Sequence, residues 1–508
     1  MNKKDFKILL FYPNEPLLGV TPSNLALLSA YLKRDGFDVK LFDCTVYKPK
    51  NKVSEIDTRV KLGHVVKTDY DDYVRSLDTD IFEDFIKVVD EYQPNIIAAT
   101  LLDSTISFTV TFLEKIKQQI KDKNITIVGG GVGCTFLYDR IFKTGFFDHV
   151  CISEGEIPFT ELCNKLYNKE DCNHVKNFYS KDENGNIIKN PLNPLMNLDT
   201  LLPPDFSIYE DWRFYRPFHE KVVRMAQIDI TRGCPGTCTF CGSPSLKKKF
   251  KEEGCGSYYR MKSIDKVISD IKDTVENYNI NFLWISSETF LGINIKKFRE
   301  LVKKYKEEIN LPFWTATRLD TLTEEKTQLL VEMGCEGIGI GLEHGDEYLR
   351  NTLLNKHLKD DTMYKGFEML SKYHVYTTIN SMLGLPGETR EDVFKTIEVN
   401  KKVSNILKGH HNINIYTFIP FSGTKLREMC IEKGYIDADD ETYCSLFAES
   451  TLNMPPPYLS KEDIKGLQKT ISLYIKLPEL YYPDIKIAEK DDKKGNIMFK
   501  KLMKIATT

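Results

Sequence analysis

Two periodicities alternate along most of this chain. Short apolar runs with strand spacing, at residues 8–12, 39–42, 96–100, 125–128 and 150–152, are separated by stretches whose apolar residues recur at helical spacing. In residues 25–33, Leu25, Leu28 and Leu32 fall on one helix face, and Gly36 can end that helix. Residues 46–94 interrupt the series as an insertion, with a helix predicted at 81–91 and a histidine, His64, read as a surface residue. Alternating strands and helices predict a parallel sheet covered on both faces, whose ligands bind beyond the carboxyl ends of the strands.

A second series follows. Strand-like runs at 226–230, 282–285, 313–316, 337–340, 377–383 and 413–418 are separated by helical stretches of ordinary length. Six repeats of one orientation predict a partial (β/α)6 barrel of the TIM type, again with its chemistry at the carboxyl ends of the strands. Between the two series, residues 169–221 are polar and then studded with Pro191, Pro194, Pro203 and Pro204, which reads as a linker and docking segment. The sequence thus divides into 1–168, 169–221, 222–430 and a mixed C-terminal region, 431–508, whose lysine-rich end is read as a solvated tail.

Composition narrows the function classes. With 508 residues, 41% hydrophobic and 28% charged, the chain has enough apolar material for two or three cores. A net charge of −3 leaves no overall basic field for nucleic acid. No window reaches the roughly 20 apolar residues of a membrane span, and the first apolar run is too short for a secretory signal, so a cytoplasmic enzyme is expected. Nine of the twelve cysteines (Cys44, Cys134, Cys151, Cys163, Cys172, Cys255, Cys335, Cys430 and Cys444) are scattered singly and read as inert small side chains.

The other three change the picture. In DITRGCPGTCTFCGSP, Cys234, Cys238 and Cys241 share a glycine-rich loop just after the first strand of the second series. Iron–sulfur clusters are held by cysteine thiolates. A structural zinc site would need a fourth nearby ligand, and Cys255 has no partner. Three ligands to a four-iron cluster leave one iron open to a chelating cofactor.

This Cys-x3-Cys-x2-Cys spacing, with Phe240 before the last cysteine, resembles the radical S-adenosylmethionine signature. The resemblance implies a [4Fe–4S] cluster whose open iron is chelated by S-adenosyl-L-methionine, and reductive cleavage to methionine and a 5′-deoxyadenosyl radical. It also implies oxygen sensitivity and a low-potential donor such as flavodoxin or ferredoxin. Later turns are similar to the family's in order. Glu288, in Ser286-Ser287-Glu288-Thr289-Phe290, stands where relatives receive the methionyl amine, although their commoner form has paired aspartates. Arg318 could pair with a carboxylate. Glu343, before His344 in place of the usual serine, is expected near the ribose or amino acid. Gly384 and Glu388, in GLPGET, are expected beside the adenine.

The first series resembles the Rossmann-like, flavodoxin-like domain of the cobalamin-binding subgroup. The matching stretches are KILLFYPNEP, VGGGVG at 128–133, SEGEIPF at 153–159, and Leu198-Asp199 with Pro203-Pro204-Asp205-Phe206. This implies cobalamin near Thr100, Asp103, Ser104, Gly129, Gly130, Gly131 and Glu154. No Asp-x-His-x-x-Gly follows the first strand, where the loop is residues 14–19, so no histidine is expected to ligate cobalt. Cys430 and Cys444 do not form an auxiliary-cluster pattern. The implied reaction is cobalamin-dependent methylation of an unactivated carbon or phosphorus centre of a small molecule or biosynthetic intermediate. Alternatives are a non-methylating ring formation, oxidation or rearrangement, and a non-catalytic corrinoid or cluster sensor. Neither the substrate nor any catalytic residue is legible.

Overall fold

The computed structural model describes the chain except residues 1, 15–20, 49–54, 64–70, 183, 220, 441–448 and 508. His64, Cys444 and most of the loop 14–19 lie outside the described residues. The chain forms two compact units. One comprises Met1–Lys52, Asp69–Arg232 and Leu246–Asn281; the other comprises Val53–Thr68, Gly233–Ser245 and Phe282–Thr508.

The first unit is built on a seven-stranded sheet. Strands β1 (Lys7–Tyr12), β2 (Asp38–Asp43), β3 (Ile96–Thr100), β4 (Thr126–Gly130) and β5 (His149–Cys151) are parallel and lie in the order 2-1-3-4-5. This is the doubly wound order, with its switch point between β1 and β3. The run Ile8-Leu9-Leu10-Phe11 is fully buried because helices cover both faces of a central parallel strand. Phe11 packs on Phe85 and Phe112, ring centroids 4.8 and 5.0 Å apart. Phe85 comes from the helix Ile81–Tyr92, which starts where the Asp80 carboxylate accepts the amides of Phe82 and Glu83.

The polar stretch after residue 168 contributes more than a connection. Strands β6 (Phe178–Lys181) and β7 (Ile187–Lys189) extend the sheet in antiparallel fashion beyond β5. Strands β8 (Tyr215–Phe218) and β9 (Lys221–Asp229) form a hairpin, and the two-residue strands β10 (Thr231–Arg232) and β11 (Arg260–Met261) pair antiparallel. Strand β9 contains most of the run expected to open the second series.

On β5 the His149 ring is 2.8 Å from the Ser180 hydroxyl, and its burial pushes its pKa from 6.5 down to about 4. The folded protein therefore holds His149 neutral where the unfolded chain protonates it. Stability is full above pH 6.5 and falls as the pH drops toward 4. The loss is about 3 kcal/mol over that window. Denaturant titrations of His149→Asn between these pH values should show a shallower loss than wild type. An unchanged slope would remove this histidine from the account.

In the second unit, β12 (Phe282–Ser286), β13 (Phe313–Thr317), β14 (Cys335–Glu343), β15 (Tyr376–Leu383) and β16 (His411–Thr417) are parallel and neighbour one another in chain order. These are the expected β/α repeats of the partial barrel. Amphipathic helices between them, such as Arg390–Leu407, cover one face. On β15 that face is Thr377, Ile379, Ser381 and Leu383, all buried, while Tyr376, Thr378, Asn380 and Met382 point to the opposite, inner face.

The C-terminal region corrects one expectation. Its lysine-rich end is not a solvated tail. It forms the helix Lys493–Thr507, which sets Phe499 and Leu502 into the core around the helix Lys461–Lys476. Its lysines occupy the other face, so a stretch that reads as charged by count still has an apolar stripe. The helix Glu55–Lys61, from the N-terminal insertion, belongs to this unit as well. Leu62 joins the same core, and its carbonyl accepts from the Ser472 hydroxyl at 2.6 Å. Among the described residues no helix is long and apolar enough to cross a membrane.

Candidate functional site

The cysteine loop begins at Gly233, whose φ of +83° suits glycine, and is tied down by backbone and side-chain bonds. The Thr239 amide donates to the Leu354 carbonyl at 3.1 Å, the Asn355 side chain donates to the Thr237 carbonyl at 2.9 Å, and the Leu426 amide donates to the Thr239 carbonyl at 3.0 Å. Phe240 lies partly buried against the C-terminal core. The loop is thus held from two other parts of the unit, and its three thiols remain partly accessible.

Each sulfur has a donor aimed at it. The Gly236 amide lies 3.3 Å from Cys234 Sγ, the Ser243 amide 3.5 Å from Cys241 Sγ, and Arg318 Nη1 3.5 Å from Cys238 Sγ. A Cβ on Gly236 would lie 3.3 Å from Cys234 Sγ, so glycine permits the amide's close approach. Such donors stabilise thiolates, the form that binds iron. Burial pushes the Cys234 and Cys241 thiols up, and the Glu288 carboxylate adds to that push at both, which places Glu288 beside the loop. Among the described residues no three His, Cys, Asp or Glu side chains converge on a single metal ion. Thiols that each take a different iron of one cluster need not meet at a point, and the donor set fits a [4Fe–4S] cluster. A cavity of about 190 Å³ opens beside Cys238 and Cys241, with Thr352, Asn355 and Lys425 in its wall.

Arg318 joins this loop to β14. It forks onto the Asp320 carboxylate, and its Nη2 also donates to the carbonyl of Lys356. The Lys356 ammonium in turn pairs with Glu343 at 2.8 Å. Glu343 stands at the end of β14 with φ of +67°, and its carboxylate folds over Gly341, where a Cβ would meet it at 2.1 Å. Cys234, Cys238, Cys241, Glu288, Arg318 and Glu343 therefore form one connected constellation. Lys356 is a member that no motif marks: it is a lysine in an irregular turn, and only the fold brings it there.

Gly384 and Glu388 are placed differently. Gly384 has φ of +79°, and a Cβ on it would press on Ile464 at 3.1 Å. Glu388 is 1% exposed and accepts the amides of Gly384 and Leu385. It also faces His344 Nε2 at 2.9 Å, while His344 Nδ1 accepts the Asp346 amide at 3.0 Å. Accepting at Nδ1 fixes the tautomer, so Nε2 carries the proton given to Glu388. The histidine that replaces the expected serine is thus matched to the glutamate of the next turn.

In the first unit, Thr100 ends β3 and Asp103 and Ser104 follow in a short 3-10 turn. The three glycines of β4 and its turn differ in what surrounds them. Gly129 packs against Leu101, Cys134 and Phe147, and a Cβ on Gly131 would come within 2.8 Å of the Leu101 carbonyl. A Cβ on Gly130 would meet nothing within 4 Å. The carboxyl end of β4 therefore leaves open space beside backbone at Gly130. Thr21, ahead of the first helix, and Ser153, after β5, have buried hydroxyls without a hydrogen-bond partner among the described residues. A polar ligand at the carboxyl ends of this sheet fits these features.

Glu154 lies in a charge network. Its carboxylate accepts from Arg232 Nη1 at 2.8 Å, from Arg260 Nη2 at 2.7 Å and from the Met196 amide at 2.8 Å, and Arg232 also pairs with Glu156. Burial alone would raise the pKa of Glu154, but the hydrogen bond from Arg260 and the charge of Arg232 hold it below its ordinary value. Arg232 and Arg260 were not singled out in the sequence, where an arginine 78 or 106 residues away carries no signal of pairing.

Comparison with known proteins identifies both series. Residues 228–399 match the family model of the Radical SAM superfamily, and residues 17–163 match that of the B12 binding domain. The chain is similar to an uncharacterized methyltransferase of Pyrococcus horikoshii, 26% identical over 353 residues, covering 69% of this chain and 72% of that protein. It is also similar to the cytidylyl-2-hydroxyethylphosphonate methyltransferase of Streptomyces wedmorensis, 22% identical with 88% and 86% covered. In fold it resembles the structure of the radical S-adenosylmethionine methyltransferase TsrM from Kitasatospora setae with cobalamin and a [4Fe–4S] cluster bound. That match has a TM-score of 0.62 at 15% identity, with all of both chains covered.

Proposed function

Since the chain is a radical S-adenosylmethionine enzyme with an N-terminal B12-binding domain, we propose that it methylates an unactivated carbon or phosphorus centre in a cobalamin-dependent reaction. The observation that carries the reading is the pairing of a cysteine loop, a hydrogen-bond donor on each of its sulfurs, with a doubly wound sheet whose carboxyl end is open at Gly130. Cys234, Cys238 and Cys241 hold the cluster, and Glu288, Arg318 and Glu343 supply the charged groups for S-adenosylmethionine. Thr100, Ser104 and the backbone at Gly130 border the space for cobalamin. When bound, these groups supply a 5′-deoxyadenosyl radical that takes a substrate hydrogen and a methyl group for the radical so formed.

The chain's own residues bind and orient. Arg318 places its guanidinium at Cys238 Sγ, where its positive charge offsets the negative charge gathered on the cysteine loop. The Glu343–Lys356 pair keeps one carboxylate at the end of β14, where a cofactor's ammonium or hydroxyl groups can be received. The inner faces of β12 to β16 form the wall for substrate, away from bulk water. We place the enzyme in the cytoplasm, served by a flavodoxin- or ferredoxin-type donor.

Similarity to methyltransferases supports methyl transfer over rearrangement, and stoichiometry tests it. Anaerobic turnover with reduced cluster, cobalamin and candidate substrates should yield methylated product, 5′-deoxyadenosine and S-adenosylhomocysteine together. Deoxyadenosine and methionine alone would replace methylation by ring formation, oxidation or rearrangement.

A further inference from the structure

A cation from the N-terminal insertion reaches the inner face of the second sheet. In the helix Glu55–Lys61, Arg59 Nη2 donates to the side-chain carbonyl of Asn414 on β16 at 2.6 Å. Asn414 Oδ1 also accepts from Asn412 at 3.2 Å, and Asn414 Nδ2 donates to Asn380 Oδ1 on β15 at 3.1 Å. Asn380 and Asn414 are register partners, so the two amides lie side by side. Asn380 is on the face of β15 that points away from the helices, with Thr378 and Met382. Because a guanidinium only donates, Asn414 must turn its oxygen to Arg59, and this sets the direction of every amide in the row.

The row leaves Arg59 incompletely satisfied. Among the described residues its Nε is buried with no hydrogen-bond partner, and no carboxylate pairs with it. A partly buried guanidinium without a counter-charge is costly, and its planar fork matches the two oxygens of a carboxylate or phosphate. Asn380, Asn412 and Asn414 hold it in place without neutralising it. By contrast, Arg318 is forked onto Asp320 and Lys356 is paired with Glu343.

We propose that Arg59, seated by the Asn380–Asn414–Asn412 row, receives an anionic group of the substrate, a carboxylate or a phosphate, in the barrel. This rests on the reading of that inner face as the substrate wall, and it names the class of substrate that wall selects. A segment that reads as an insertion in the first domain would then set the specificity of the second.

The full-length, cluster-containing protein can be tested without turnover by ligand-observed NMR titration with benzoate, phenyl phosphate and the uncharged benzamide. Wild type should bind at least one anion tenfold or more tightly than benzamide. Arg59→Gln should abolish that preference while leaving benzamide binding unchanged, and Arg59→Lys should retain part of it. Asn414→Asp, which supplies the missing counter-charge internally, should abolish the preference with the fold intact and so covers the case of an unstable Arg59 variant. Equal binding of anions and benzamide by wild type, or an anion preference that survives in Arg59→Gln and Asn414→Asp, would overturn the proposal and leave Arg59 as a staple between helix and strand. A protein that shows the preference yet transfers no methyl group would overturn the methylation reading alone.

Discussion

Changing Cys238 to alanine is expected to reduce 5′-deoxyadenosine formation to background and to lower the iron content of anaerobically purified protein. Cys238 is the middle cysteine of the loop proposed to hold the cluster and its sulfur receives Arg318 Nη1, so the variant removes a proposed ligand and one acceptor of a guanidinium that keeps its bonds to Asp320 and Lys356. Cys255 offers no replacement ligand, being buried at 3% exposure with its thiol turned to the Glu253 carbonyl. Cys255→Ala therefore serves as the control and should keep both iron and activity. Iron analysis and chromatography of the reaction read the two variants directly. A Cys238→Ala protein that still cleaves S-adenosylmethionine would sink the ligand assignment, and with it the enzymatic reading of the loop.

The largest stability effect is expected at Glu154. Its carboxylate is 14% exposed and satisfies Arg232 and Arg260 at once, so Glu154→Ala leaves two guanidinium groups short of a partner. Removing one member of a buried charge network costs about 3–5 kcal/mol. The denaturant midpoint should fall accordingly, with unchanged slope. The sign with pH follows from the lowered pKa of Glu154. Its contribution is present above the ordinary carboxylate range and is lost as the pH falls through the lowered folded value, so wild type should lose in acid what the variant has already lost at neutrality. Arg232 stands two residues before Cys234 in the chain, so cluster loading is the second readout. A variant with wild-type midpoint would show that Glu156 and the Met196 segment hold Arg232 and Arg260 without it.

Much of the molecule was legible before any coordinate. The strands at 8–12 and 96–100 are runs of aliphatic residues between amphipathic stretches, and β1 and β3 form there because a doubly covered parallel strand buries both faces. The cysteine spacing was legible for a similar reason: three ligands on one loop are a local arrangement, independent of what the rest of the chain packs against. The glycines were legible as a group but not one by one. Gly129 and Gly131 answer to neighbouring side chains and a carbonyl, and Gly130 alone faces open space, a difference that depends on which loop lies across β4. Glu388 follows the expected turn, yet its partner His344 is 44 residues away and is identifiable only once β14 and the following turn are placed.

The amino-acid sequence by itself determined the two β/α series, the cysteine loop and the order of the turns after it, because each depends on residues a few positions apart. Only the tertiary structure decided that Lys356 closes the Glu343–Arg318 chain, that Glu154 is held by Arg232 and Arg260, and that the lysine-rich end folds back as a helix. It also decided that Arg59, 355 residues from Asn414, enters the barrel from an N-terminal insertion. The helix is held by its apolar stripe, and the physical reason is common to the other three. A buried charge takes whichever partner the packed backbone brings within hydrogen-bond reach, and no periodicity along the chain encodes that distance.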